Sequence, residues 1–110
     1  MYTPSILATP LVSSGPINSE RPNEAQTFDW PFLDGDVQIG VWECTPGEFL
    51  FNRVGYSEVF TVLSGRATLH IDGGPSFELV PGAMILTPSG TTGRWVVHET
   101  VRKVYYSVND

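Results

Sequence analysis

Basic residues and cysteine are scarce in this sequence, and each shortage excludes a class of protein. Six Lys and Arg stand against 12 Asp and Glu, which gives a net charge of −6. The closest basic cluster is the pair Arg102-Lys103, whereas a nucleic-acid surface needs many clustered Lys and Arg. We therefore expect no nucleic-acid partner. Cys44 is the single cysteine, so no internal disulfide is possible. It has no partner at a catalytic spacing and is predicted to be a buried, inert thiol.

Long apolar runs and helical periodicity are also missing. No stretch approaches the roughly 18 apolar residues of a membrane span, so no membrane association is expected. The first residues lack a basic segment followed by an apolar stretch. We therefore expect no secretory signal and a cytoplasmic location. No segment repeats its apolar residues at a helical period, so helices are not predicted.

Glycine and proline, by contrast, are abundant and spread along the chain. The 11 Gly and 9 Pro separate short apolar runs in a sequence of 110 residues that is 41% hydrophobic. This spacing is typical of one all-β domain with many short strands. Prolines are frequent before residue 33, and proline cannot donate to a strand ladder. Residues 1–35 are therefore predicted to form an extended N-terminal arm, with Ile6-Leu7-Ala8 as a candidate edge strand and Phe28–Leu33 packed on the domain.

Residues 36–110 are predicted to form the barrel itself. Alternating apolar residues, interrupted by Gly and Pro turns, predict eight short strands. The turn Ser64-Gly65 is expected to separate the third strand from the fourth. The predicted strands are Val37–Trp42, Phe49–Val54, Glu58–Leu63, Arg66–Ile71, Phe77–Val80, Ala83–Thr87, Arg94–His98 and Lys103–Val108.

Two segments of this barrel resemble the sequence motifs of the cupin superfamily. Pro46-Gly47, followed by Glu58 and, after six residues, Gly65, matches parts of the first cupin motif; Gly82, Pro88 and Gly90 match the second. The segment Trp42-Glu43-Cys44-Thr45-Pro46-Gly47 especially resembles the small cupins related to ureidoglycine aminohydrolases and to the ethanolamine-utilisation cupin. The resemblance implies a single jelly-roll barrel with a ligand cavity at one mouth.

The sequence departs from the cupin pattern where metal-binding cupins supply three His and one Glu. The His-x-His slots fall within residues 51–55 and the third His slot falls on Gly93, and none of these positions is His. Only the Glu slot, at Glu58, is kept. Transition metals need several imidazole, thiolate or carboxylate ligands, so neither a metal nor a cofactor is predicted. His70 and His98, the two histidines, are predicted to point away from the interior.

Glu58 is the candidate catalytic residue. Strand alternation places it on one face with Phe60 and Val62, and we predict that this face points inward. A carboxylate in such surroundings suits general acid–base chemistry. The alternative is a structural Glu paired with Arg53, and the sequence does not decide between the two.

Five side chains around Glu58 are candidate ligand-binding residues: Arg53, Tyr56, Phe60, Trp95 and Trp42. Arg53 falls on or beside the His slots, where an inward guanidinium would clamp a carboxylate or phosphate; a solvent-facing Arg is the alternative. Trp95 shares the inward face of the Gly93 slot. Trp42 is predicted to be either cavity wall or core. Tyr56 lies at the predicted barrel mouth, either against a ligand or on the surface.

These residues favour a metal-independent enzyme that binds a small polar metabolite and performs acid–base chemistry of the isomerase, lyase or cyclase type. Two alternatives stay open: a metal-dependent hydrolase resembling ureidoglycine aminohydrolase, and a non-catalytic ligand-binding module. The expected partners are the small-molecule ligand and a second copy of the chain. A homodimer is expected because apolar groups of the arm, such as Ile6 and Trp30, need a surface to cover.

Overall fold

The computed structural model of the chain describes residues 12–16, 26–33 and 35–110. These residues form eight strands and no helix, which confirms the predicted all-β class. None of the described segments is a helix long and apolar enough to cross a membrane. The candidate edge strand Ile6-Leu7-Ala8 lies outside the described residues. The strands are β1 (Val12–Pro16), β2 (Gln26–Leu33), β3 (Val37–Cys44), β4 (Gly47–Asn52), β5 (Tyr56–Ile71), β6 (Ser76–Leu79), β7 (Met84–Thr87) and β8 (Thr92–Asn109).

Two of these strands, β5 and β8, are much longer than predicted. The expected turn at Ser64-Gly65 is wrong, because β5 runs through it and pairs with β8 on both sides. The register shifts three times between Val62 and Ala67, so the pair bends there instead of turning back. Gly65 has a φ of 86°, and a Cβ on it would overlap the carbonyl oxygen of Thr100. A glycine is therefore needed where the bent strands lie closest together.

The bend divides one antiparallel sheet into two layers, which gives the jelly-roll fold predicted from the sequence. The first half of β5 and the second half of β8 pair with each other and with β7 and β3. The other halves pair with each other and with β6 and β4. The hydrophobic core lies between the layers and includes Phe60, Leu69, Leu79, Trp95 and Val101, all buried.

The end of the predicted arm is part of the sheet. Gln26–Leu33 forms β2, which pairs antiparallel with β3, and β1 pairs with β2 at the sheet edge. Pro31 lies next to a register shift in β2, where a missing N–H is tolerated. This strand therefore brings its own side chains, Asp29 among them, to the inner face of the first layer.

The outer face of the first layer is apolar. Side chains from β3, β8, β5 and β7 lie in adjacent rows there, since Ile39 pairs with Tyr106, Tyr106 with Val59 and Val59 with Leu86. Leu86 is 64% exposed and Tyr106 is 42% exposed. We call this surface the outer apolar face; its apolar members include Ile39, Val59, Met84, Leu86, Val104, Tyr106 and Val108.

Candidate functional site

A cavity of about 470 Å³ opens at one end of the barrel, on the inner face of the first layer. Its walls combine ionisable groups with aromatic rings, as is usual for sites that bind small molecules. The polar and charged lining includes Asp29, Gln38, Arg53, Tyr56, Glu58, Lys103, Tyr105 and Ser107, and the apolar rings are Trp42, Phe49, Phe51 and Trp95.

Glu58 is bound by two cations at the floor of this cavity. Its Oε2 accepts a hydrogen bond from Lys103 Nζ at 2.7 Å and another from Arg53 Nη2 at 3.1 Å. All three side chains are buried. Both Glu58 and Arg53 therefore face the cavity and contact each other, as one of the two alternatives for each residue had it, whereas the role of Glu58 stays a prediction.

Three strands and one loop hold the two cations in place. Arg53 follows β4, and its backbone N–H donates to Thr91 O at 2.9 Å while its carbonyl accepts from Gly90 N at 2.8 Å. Its Nε donates to Thr87 Oγ1 at 2.9 Å, and that hydroxyl donates to the backbone carbonyl of Glu58. The backbone of Arg53 and its Nε and Nη2 donors are thus held by residues of separate elements, which preorganises the site.

Lys103 is surrounded by aromatic rings. Its Nζ lies 4.5 Å from the ring centroid of Phe60, 4.6 Å from that of Trp42 and 5.0 Å from that of Trp95. Such cation–π contacts stabilise the ammonium form. Burial nevertheless lowers the pKa of Lys103 below its ordinary value, with Glu58 opposing this effect and Arg53 adding to it. The amine therefore loses its proton more readily than a solvated lysine does.

One carboxylate oxygen of Glu58 remains available to a ligand. The two cations both bind Oε2, and no described residue forms a hydrogen bond with Oε1. No buried side-chain oxygen of the described residues lacks a partner, so Oε1 is not sealed off from the cavity. Oε2 therefore fixes the orientation of the carboxylate, and Oε1 is available to a ligand in the cavity.

A second carboxyl group, Asp29, lies in the same cavity. Tyr105 Oη donates to Asp29 Oδ1 at 3.0 Å. Burial raises the pKa of Asp29, and the hydrogen bond from Tyr105 opposes that effect. Gly40 allows this contact, because a Cβ there would come within 2.7 Å of both Tyr105 Oη and the carbonyl oxygen of Trp30. Two acidic groups with different surroundings thus share one cavity.

The other predicted ligand-binding residues fall into two groups. Trp42, Trp95 and Tyr56 line the cavity, and Trp42 and Trp95 contact each other with ring centroids 5.5 Å apart. Phe60, in contrast, is 1% exposed and packs behind Trp95, so it supports the cavity wall from the core. The positions of these residues are given by the structure, whereas their roles toward a ligand stay predictions.

Sequence reasoning missed Lys103, Asp29 and Tyr105. The available signal was alternation: Lys103, Tyr105 and Ser107 occupy every second position of β8 and all line the cavity. Lys103 is also the only lysine in the chain. Asp29 was missed because its segment was assigned to an arm and not to a sheet strand.

The residues present do not fit the metal site of the metal-binding cupins. No group of three His, Cys, Asp or Glu side chains that could hold a metal ion occurs in residues 12–16, 26–33 and 35–110. His98 Nε2 lies 2.8 Å from Thr68 Oγ1 and His70 Nδ1 lies 2.7 Å from Ser76 Oγ, and neither histidine lines the cavity. Around Glu58, a guanidinium and an ammonium occupy the space where a cation would otherwise bind.

Comparisons with known proteins agree with this fold. The structure of the Clostridium difficile EutQ protein matches with a TM-score of 0.79 and 18% identity, covering 94% of this chain and 83% of that one. Ectoine synthase from P. lautus matches with a TM-score of 0.71 and 15% identity over 76% of this chain and 64% of that one. A protein of unknown function from Pseudomonas syringae pv. tomato matches with a TM-score of 0.78 and 23% identity over 91% of this chain and 45% of that one. At these identities the shared property is the fold.

The sequence comparisons define the family. No curated protein matches the chain. The narrower resemblance to ureidoglycine aminohydrolases stays a prediction. A family model for the EutQ-like cupin domain, however, matches residues 33–105, about two thirds of the sequence. The chain therefore belongs to the EutQ-like cupin domain family.

Proposed function

We propose that the cavity binds a small polar metabolite and that Glu58 exchanges a proton with it, without a metal ion. The observation that carries this proposal is the asymmetric use of the Glu58 carboxylate. Lys103 and Arg53 both bind Oε2, and Oε1 is left for the cavity. A fixed carboxylate with one open oxygen is the arrangement expected of a general base.

The surroundings of Glu58 favour proton abstraction from the ligand over the attack of a metal-bound water that a hydrolase would need. The two cations fix the carboxylate through Oε2, so the open Oε1 is positioned to accept a proton from a C–H, O–H or N–H group of the ligand. Asp29 lines the same cavity with a raised pKa and supplies a candidate donor for the opposite step. Abstraction on one side with protonation on another is the chemistry of isomerases, lyases and cyclases.

A non-catalytic binding module is the second candidate function, and one observation favours it. The Arg53–Glu58–Lys103 network is satisfied from within the chain and has the contacts of a structural ion triad. In that case the cavity still binds a ligand, but no proton moves. The metal-dependent hydrolase is not favoured, because the donor set around Glu58 is cationic.

Ligand screening followed by isotope exchange tests the proposal. A panel of small metabolites is first screened by thermal shift, since a ligand that binds only the folded state raises Tm. Each ligand found is then incubated with the protein in D₂O and followed by NMR. We expect deuterium incorporation with the wild type and none with Glu58→Gln, while His70→Ala, outside the cavity, exchanges normally. Binding without exchange in the wild type would contradict the catalytic proposal and favour the binding module.

A further inference from the structure

The chain's only lysine lines the cavity. Lysine belongs to the residue types that are almost never fully buried unless they are paired. The 110-residue sequence contains one lysine, Lys103, and it is 5% exposed. We propose that Lys103 is a nucleophile that forms an imine with the carbonyl carbon of a small 2-oxo acid. This inference rests on the proposed function, because it requires the cavity to admit a small ligand.

The surroundings of Lys103 are those that activate an amine. A lysine becomes nucleophilic when it is desolvated in an apolar pocket or placed beside another cationic group. Both conditions hold, because the Lys103 side chain is only 7% exposed and Arg53 binds the same carboxylate oxygen. Burial lowers the pKa of Lys103, which agrees with this geometry.

Glu58 provides the route for the proton. Transfer along the 2.7 Å hydrogen bond leaves a neutral amine and a protonated Glu58. The nitrogen lone pair then forms a C–N bond with the carbonyl carbon, the π pair of the C=O bond moves to oxygen, and that oxygen takes the proton back from Glu58. A proton from the nitrogen next passes through Glu58 to the new hydroxyl. The C–O bond then breaks and water leaves, while the nitrogen lone pair forms the C=N bond. One ammonium and one carbonyl thus give one iminium and one water.

Arg53 determines the class of ligand. Its Nε and Nη2 are bonded to Thr87 and Glu58, whereas Nη1 has only a 3.5 Å contact with the hydroxyl of Tyr56 among the described residues. The Nη1 protons and the Tyr56 hydroxyl therefore remain for an anionic group. Because Arg53 and Lys103 bind the same oxygen of Glu58, the two cationic groups lie close together, which favours a ligand whose carboxylate is close to its carbonyl. A 2-oxo acid has them on adjacent carbons.

Reductive trapping tests the imine on the full chain. The protein is incubated with pyruvate or glyoxylate and sodium cyanoborohydride near neutral pH, and the labelled residue is located by peptide mass spectrometry. The variant Arg66→Lys provides a matched comparison in the same molecule. It adds one amine at a surface position whose side chain is 47% exposed and far less desolvated. The α-amino group of Met1 provides the third amine.

We expect Lys103 to be labelled several-fold faster than the amine introduced by Arg66→Lys, because a desolvated amine beside a second cation has a larger neutral fraction than a solvated one. Methyl pyruvate lacks the carboxylate charge. When it replaces pyruvate, the ratio of the labelling rate of Lys103 to that of the introduced amine should fall about tenfold. The variant Lys103→Arg keeps the cation in the cavity. It should lose the label at residue 103, while the other amines are labelled as before.

Labelling confined to Met1 and the introduced amine would overturn the imine proposal. If pyruvate still raised the Tm of the protein in that case, the cavity would keep its proposed role as a ligand site and only the covalent step would be wrong. An equal preference for methyl pyruvate and pyruvate would overturn the assignment of the 2-oxo acid class.

Discussion

The substitution Glu58→Gln should destabilise the protein strongly, because the Glu58 carboxylate contacts two buried cations. Lys103 and Arg53 both donate to its Oε2, and their side chains are 7% and 8% exposed. Gln keeps the shape and an acceptor oxygen but removes the negative charge. The two cations are then left facing each other in a site from which most water is excluded.

The magnitude follows from the geometry. Two cationic nitrogens that bind one oxygen at 2.7 and 3.1 Å are less than about 6 Å apart, and at an effective dielectric constant of about 20 their repulsion is about 3 kcal/mol. Removing one partner of a buried ion pair costs about 3–5 kcal/mol in general. We therefore expect a loss of about 3 kcal/mol, which for a domain of this size lowers Tm by roughly 12 °C or more.

The loss should depend on pH. Burial lowers the pKa of Lys103 in the folded state from its ordinary value of 10.5. Between the folded and the unfolded pKa values the unfolded chain binds more protons, so this lysine makes the free energy of unfolding rise with pH. Without the Glu58 charge the folded pKa of Lys103 falls further and this window widens. The Gln variant should therefore regain part of its stability as the pH is raised from about 6 to about 9.

Equilibrium denaturation at fixed protein concentration measures these effects. Glu99→Gln is the matched control, because it also removes the acid of an Arg–Glu pair, but at the surface, and should cost less than about 1 kcal/mol. Adding Lys103→Met to Glu58→Gln removes one of the two cations and should restore about 2 kcal/mol or more. A cost below about 1 kcal/mol for Glu58→Gln, or strictly additive effects in the double variant, would refute the account of a carboxylate holding two cations together.

Three further expectations concern other parts of the fold. Cys44 is buried and its thiol pKa is raised to about 12, so thiol reagents should label it only after denaturation; labelling of the native protein would contradict the burial. Gly65→Ala should cost about 3 kcal/mol or more in chemical denaturation, whereas Gly73→Ala, with positive φ but open space around it, should cost less. The homodimer also stays a prediction: in light scattering Leu86→Lys, on the outer apolar face, should give a monomer, while Leu50→Lys, 79% exposed on β4, should not.

Much of the site could be predicted from the sequence because the cupin motifs fix its positions. Counting from Gly47 and from Glu58 put Arg53 on or beside the His slots, with a solvent-facing Arg as the alternative, and the structure joins Arg53 and Glu58 at 3.1 Å. Strand alternation identified Trp95 as an inward residue, which it is. These predictions depended only on residues that are close in the motif or share one strand.

The role of Lys103 in the site could not be predicted in this way, because Lys103 follows Arg102 directly in the sequence. The pair Arg102-Lys103 reads as a small basic surface cluster, yet adjacent residues of a strand point to opposite faces. Arg102 points outward to Glu43 at 3.1 Å, and Lys103 points inward to Glu58. The contact between β5 and β8 joins residues 45 positions apart, and no local pattern encodes such a pairing.

Alternation alone does not identify the inner face, because here both faces of the first layer carry apolar residues. Ile39 and its apolar neighbours point outward, Phe60 and Val62 lie in the core, and Gln38 and Lys103 line the cavity. The polar residues at the cavity end make a charged binding site possible, and the apolar set on the outer face needs a cover. A shift of β8 by one residue would exchange Lys103 with Val104, and so remove the cation from Glu58 and place it in the outer apolar face. The cavity and the outer apolar face therefore depend on the same register of β8.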